Sequence, residues 1–189
     1  MKFKKYTEFV SSNNPQYHKF LNENVVNEIG DRSVEPGSWL QSKYEPNHKG
    51  YSFVTKDEER YYAYFEKKPW SWSEAWGFAK YFTPKTKAWE TSFGHLKGSI
   101  HGYGGELDFK SATNKGSQFE ILSTYAEILE DFIKNNKSKV DVIIAKPEKS
   151  DDKDSRRLRL YQAFLDKSNI FKKVETVKVF GQDVIILYP

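Results

Sequence analysis

The sequence predicts an α+β fold, a mixed β-sheet flanked by helices in a single domain spanning residues 1–189. Three observations lead there. Residues 117–135 place apolar side chains at sustained helical spacing. Short β-branched runs occur at 140–145, 174–179 and 184–187. In the second half the order strand, helix, strand, helix, strand, strand calls for a right-handed parallel crossover followed by an antiparallel pair. A chain of 189 residues can bury about 70% of its unfolded surface and needs no metal or disulfide staple.

The elements follow in order. Residues 15–29 read as a helix, with Phe20, Leu21, Val25 and Ile29 at helical spacing. Asn13 or Asn14 is its candidate cap, Pro15 suits its first turn, and Gly30 closes it. A loop containing Pro36-Gly37 and Pro46-Asn47 comes next. Segments 51–55 and 60–65 alternate apolar and polar residues around Lys56-Asp57-Glu58-Glu59, the pattern of an antiparallel hairpin. From Tyr61 to Phe93 there are twelve aromatics, interrupted by Pro69 and Pro84, so that stretch is not one regular element. Residues 89–93 and 106–111 read as a further strand pair, joined by the glycine-rich 94–105.

The helix at 117–135 carries Ile121, Leu122, Tyr125, Ile128, Leu129, Phe132 and Ile133 on its apolar stripe. Residues 140–145 form a buried strand by composition, and 146–154 a charged loop. Asp154 or Ser155 caps a helix running to about Ser168. Residues 174–179 and 184–187 close the chain as a strand pair around Phe180-Gly181-Gln182-Asp183.

Composition excludes several classes of chemistry. With no cysteine there is no disulfide framework, thiolate zinc site, iron–sulfur cluster or cysteine nucleophile. Charged residues at 30% and a mean hydropathy of −0.78 argue against a membrane protein. No apolar run is long enough to cross a bilayer. The basic start, Met1-Lys2-Phe3-Lys4-Lys5-Tyr6, leads into no apolar segment, so a cytoplasmic location is expected. The net charge of +4 is uneven. Residues from 134 onward hold 13 Lys+Arg against 8 Asp+Glu, which leaves the first 133 at −1. Aromatics reach 16%, which argues for a folded chain and for an aromatic-dominated core.

The run Leu160-Tyr161-Gln162-Ala163-Phe164-Leu165, then Phe171-Lys172-Lys173-Val174, then Phe180-Gly181-Gln182-Asp183-Val184-Ile185-Ile186-Leu187 resembles the closing half of the GNAT superfamily of acyl-CoA-dependent N-acyltransferases. The likeness covers the chain from Glu106 onward and implies a single-domain GNAT-like mixed sheet flanked by helices. The chain as a whole, with its aromatic-rich residues 1–105, is similar to GNAT-like proteins of bacteriophages. The resemblance implies acetyl-CoA or another acyl-CoA as cofactor and an amine, small-molecule or protein, as acceptor. It matches Tyr161 to the general acid that reprotonates the departing thiolate, and Glu106 or Asp108 to the base that deprotonates the amine.

In that family a loop of the form Gln/Arg-x-x-Gly-x-Gly/Ala holds the coenzyme A pyrophosphate on backbone amides at a helix N-terminus. The matching register here is Thr113-Asn114-Lys115-Gly116-Ser117-Gln118. Only Gly116 fits. Thr113 replaces the basic or amide residue, and Gln118 replaces the small residue. Asn114, Lys115, Gly116, Ser117 and Gln118 remain the candidate cofactor-binding residues, with a lysine charge and free amides to offer. Gly102-Tyr103-Gly104-Gly105 leads straight into a strand and reads as a hairpin turn.

Each candidate has an ordinary structural alternative. Leu158, Tyr161 and Leu165 share the spacing of core residues. Glu106 and Asp108 fall on one face of a strand, which solvent also explains. His95 and His101 lie in the glycine-rich connection with no third ligand at metal spacing, so no metal is assigned. Arg156, Arg157 and Arg159 suit phosphates, yet Asp151, Asp152 and Asp154 are interleaved. Two other functions stay open. One is a non-catalytic GNAT-fold binding protein, a phage accessory or host-interaction factor that meets a protein partner through the Trp70–Trp89 region. The other is a nucleic-acid binder using the basic C-terminal surface with exposed tryptophans.

Overall fold

The computed structural model describes residues 36–97, 106–108, 118–146, 161–165 and 170–189. The expected first helix at 15–29 lies outside them. Eight strands form one sheet: β1 (Trp39–Glu45), β2 (His48–Val54), β3 (Arg60–Lys68), β4 (Ala88–Lys97), β5 (Glu106–Asp108), β6 (Val142–Ala145), β7 (Lys173–Val179) and β8 (Gln182–Tyr188). Their order is β1-β2-β3-β4-β6-β8-β7, with β5 paired to β4 off that path. Every pairing is antiparallel except β4 with β6. The described residues therefore form an α+β mixed sheet with few helices.

Two helices are described along their length. α1 (Trp70–Ala75) follows β3, and α2 (Gln118–Asn136) follows β5. Residues 161–165 are also helical. The apolar stripe of α2 lies on one face of the sheet. Ile121, Tyr125, Ile128, Leu129 and Phe132 pack there against Tyr51, Phe53, Tyr61, Phe65, Trp89, Ile143, Ile185 and Leu187. The alternation of β6 and β8 sends their other residues, Val142, Ile144, Val184 and Ile186, to the opposite face. There they meet Phe78 and Phe82, with Trp70 and Trp72 at the margin.

Several expectations need correction. The loop expected around Pro36-Gly37 and Pro46-Asn47 contains β1, because Pro46 and Asn47 are only the turn between paired Glu45 and His48. As an edge strand with Leu40 left 76% exposed, β1 shows no buried alternation among its described side chains. β4 runs on through Gly94 to Lys97, so the glycine-rich connection begins later than expected. Strand pairing with β5 overrides the loop-like composition there. The parallel partner of β6 is β4, with β5 turned back antiparallel on it, so the crossover spans β5 as well as α2.

Local contacts set this parallel register. The Lys87 amide donates to Asp141 Oδ2 at 2.8 Å, and the Asp141 amide donates to the Lys87 carbonyl at 3.0 Å. Trp89 Nε1 donates to the Lys139 carbonyl at 2.9 Å, which satisfies a buried indole. At the other end of α2, the buried Glu120 carboxylate accepts the Lys56 amide at 3.0 and 3.2 Å. Thr124 Oγ1 accepts the Gly37 amide and donates to the Glu120 carbonyl, both at 2.7 Å. The entry to β1 and the β2–β3 turn are thus tied to the start of the same helix.

Candidate functional site

β4 has two different neighbours along one edge. Its first residues, Ala88 to Thr91, pair with Val142 to Ala145 of β6. Its last, His95 to Lys97, pair with Asp108 to Glu106 of β5. Ser92, Phe93 and Gly94 have no ladder partner on that edge among the described residues. β6 ends at Ala145 and does not fill the space. The sheet therefore has a seam, a short length of β4 edge between two strands.

The α2 side of this seam is lined with phenols. The Phe93 ring lies 4.4 Å from the Tyr125 ring and 5.6 Å from the Tyr161 ring, centre to centre. Tyr125 Oη and Thr91 Oγ1 share a hydrogen bond of 2.7 Å, and Thr91 also donates to the Tyr64 carbonyl at 2.9 Å. Burial pushes the Tyr125 phenol well above its ordinary pKa; the Thr91 bond opposes this, while Tyr161 and Tyr64 add to it. Tyr125 is therefore a neutral structural group. Tyr161 is half-buried, on the helical stretch 161–165, and packs against α2 and Phe93.

Asp108 lies on the same face by strand register, opposite His95. Its carboxylate is 2.6 Å from Lys97 Nζ. Glu106 is two residues away on β5, opposite Lys97 in register. The sequence candidates Tyr161, Glu106 and Asp108 thus fall on the elements that border one seam. Gln118 is the first residue of α2. Asn114, Lys115, Gly116 and Ser117, together with His101, Arg156, Arg157 and Arg159, lie outside the described residues. His95 packs edge-on against Tyr61 at 5.4 Å. Among the described residues no group of three His, Asp or Glu side chains is placed to hold a metal ion. None of the described helices is long and apolar enough to cross a membrane.

The opposite side of the seam is built differently. Glu90 sits between two ammonium groups, Lys146 Nζ at 2.8 Å and Lys68 Nζ at 2.7 Å, and Lys68 also reaches Glu66 at 2.5 Å. Burial opposes ionisation of Glu90, but the bonds and charges of Lys146 and Lys68 outweigh it and hold the carboxyl below the ordinary glutamate range. Lys146 Nζ lies 4.5 Å from the centre of a Trp72 ring and 4.1 Å from that of Trp76. Trp76 caps α1. Gly77, at φ 71°, takes the left-handed conformation that turns the chain into Phe78, a role that favours glycine after a helix.

Sequence reasoning missed Phe93, Tyr125 and Thr91 as site neighbours and missed the pairing of Lys146 with the tryptophans. Their partners are distant in the chain, so only the strand order brings them together. Compared with protein-family models, curated proteins and solved structures, the chain matches none.

Proposed function

We propose that the protein is a GNAT-type, acyl-CoA-dependent N-acyltransferase whose reaction takes place on the α2 side of the seam. The observation that carries this reading is the end of the β4–β6 ladder at Thr91 and Ala145, with Tyr161 packed on Phe93 just beyond it. Two features bear on the fit to coenzyme A. One is the stretch of β4 edge at Ser92, Phe93 and Gly94. The other is the start of α2, which directly follows Gly116-Ser117. Asn114, Lys115, Gly116, Ser117 and Gln118 would hold the cofactor's phosphates, helped by the positive end of the helix. Glu120, an acid in that first turn, is engaged by the Lys56 amide. When bound, the cofactor supplies an activated acyl thioester.

In this reading the chain's residues position the reactants and move two protons. Tyr161 Oη holds a proton for the departing sulfur. Asp108 or Glu106 takes one from the acceptor amine. Lys97 sets a positive charge beside Asp108. Proton transfer of this kind contributes about 10²–10⁴-fold, and holding amine and thioester together supplies the larger share.

Calorimetry with acetyl-CoA tests the reading, followed by turnover of an amine panel. Binding is expected, and Tyr161→Phe should lower kcat by roughly 10²–10⁴-fold with little change in acetyl-CoA affinity. No heat and no shift in Tm at millimolar acetyl-CoA overturns it. A second reading is a binding protein that meets a partner through its tryptophan region. It is favoured by the 41% exposure of Trp76 and 74% exposure of Phe180, since clustered exposed apolar surface marks interaction sites. The Phe180 ring lies beside Gly77, next to Trp76 in the chain.

A further inference from the structure

We propose that Trp72, Trp76 and Glu90 form a binding site for a primary alkylammonium group, and that the protein's own Lys146 occupies it in this structure. This site stands apart from the acyltransferase reading, since it uses only the face of the sheet away from α2.

The geometry is that of a cation receptor. Two indole rings with centres 6.0 Å apart and planes 31° from parallel share one ammonium, at 4.5 and 4.1 Å. Indole faces carry the negative lobe of the ring quadrupole and attract a cation most strongly where water is partly excluded. Glu90 completes the site at 2.8 Å from the same nitrogen, accepting an N–H bond as well as balancing charge. Tryptophan faces tolerate any alkylammonium, whereas the carboxylate favours one that keeps an N–H to donate.

Charge decides what can replace the occupant. Glu66, Glu90, Lys68 and Lys146 sum to zero. Without Lys146 the cluster is left at −1, with an ionised Glu90 facing two indole rings, so only a cation restores the balance. Lys68 does not suffice. Its Nζ is already shared between Glu66 and Glu90, and it lies farther from the Trp72 ring, at 5.3 Å.

Lys146 is also a replaceable occupant. It follows Ala145, the last residue of β6 and the last with a ladder partner on β4, so among the described residues no strand pairing holds it. Its side chain keeps 23% exposure, and Trp76 is itself exposed. A tethered lysine competes with any external amine, and affinity then falls by the fraction of time that the site is open.

The test is titration of the full chain with n-butylammonium chloride against sodium chloride at equal ionic strength, followed by tryptophan fluorescence. Lys146→Gln and Lys146→Met should each bind n-butylammonium at least about tenfold tighter than the parent chain, because the tethered competitor is gone. Adding Trp76→Ala or Glu90→Gln to Lys146→Gln should abolish the gain while the far-UV spectrum stays native. Tetramethylammonium, which has no N–H, should bind more weakly than n-butylammonium. Spermidine and a lysine-containing peptide, run separately, distinguish a free amine from a protein side chain as the source of the group. The proposal is overturned if both Lys146 variants bind no tighter than the parent, or if the gain survives loss of Trp76.

Discussion

The two faces of the sheet are closed by very different means. On one, the nineteen residues of α2 lie across β2, β3, β4, β6 and β8, and its first turns hold the backbone of Gly37 and Lys56. On the other, among the described residues, a six-residue helix and the short 3-10 turn Phe78–Lys80 cover the β4, β6, β8 and β7 end. The aromatics differ in kind as well. Under α2 they are ring-on-ring contacts in a dry core, such as Phe65 stacked on Phe132 at 3.9 Å. On the thin side Phe78 also stacks with Trp72 and Phe82, at 5.3 and 5.6 Å, but Trp72 and Trp76 at its margin share their faces with Lys146 at the water boundary. The seam crosses both, with phenols on one side and a cation site on the other. Among the described residues, then, the α2 layer is thick and the other layer thin.

The largest expected effect comes from breaking the thick layer. Phe132 is fully buried, stacked on Phe65 and edge-on to Trp89 at 5.1 Å. Phe132→Ala should lower global stability by about 3–5 kcal/mol in urea unfolding. Phe78→Ala removes an equally buried ring from the thin layer. It should cost about 3 kcal/mol, the low end for such a deletion, because a short cover yields around the cavity. Native-state hydrogen exchange sharpens the contrast: amides of residues 70–82 should open locally, and those of α2 only on global unfolding. Equal opening free energies for the two would remove the distinction.

The next effect is smaller and lies at the start of α2. Glu120→Ala leaves the Lys56 amide without its carboxylate and should cost about 1–3 kcal/mol, with Glu120→Gln losing less. Thr124→Val breaks the link to Gly37 at a cost of about 1 kcal/mol, read in the same unfolding experiment. Smallest is the acid response of the thin side. Glu90 has its folded pKa depressed by Lys146 and Lys68 against the opposing effect of burial. Its contribution is therefore present above the ordinary glutamate value of about 4.3 and is lost as pH falls through the lower folded value. Tryptophan emission should change over that acid range in the parent chain and stay flat in Glu90→Gln.

What the sequence made legible follows the same division. The stripe of α2 was readable because seven apolar residues repeat at helical spacing, and β6 and β8 because β-branched residues cluster there. β1 was not, since the described side chains of this edge strand, with Leu40 in water, bury no alternating set. The end of β4 was hidden because Gly94 and His95 look like loop until β5 is there to pair with them. Tyr161, Glu106 and Asp108 could be singled out one by one from the resemblance of the closing half to the GNAT superfamily. Their common seam could not, because it depends on the β4–β6 ladder ending at Thr91 and β5 pairing farther along the same edge, a property of strand order. The cation site was hidden for the same reason: Lys146 meets Trp72 and Trp76 across a long stretch of intervening chain.

That the reactive side of the seam is the one under α2 is tested most directly by hydrogen–deuterium exchange of the full chain with and without saturating acetyl-CoA. Slower exchange is expected in β4 from Ser92 to Lys97 and at 161–165, with residues 70–82 unchanged. Protection confined to 70–82, or absent from the whole chain, would contradict it.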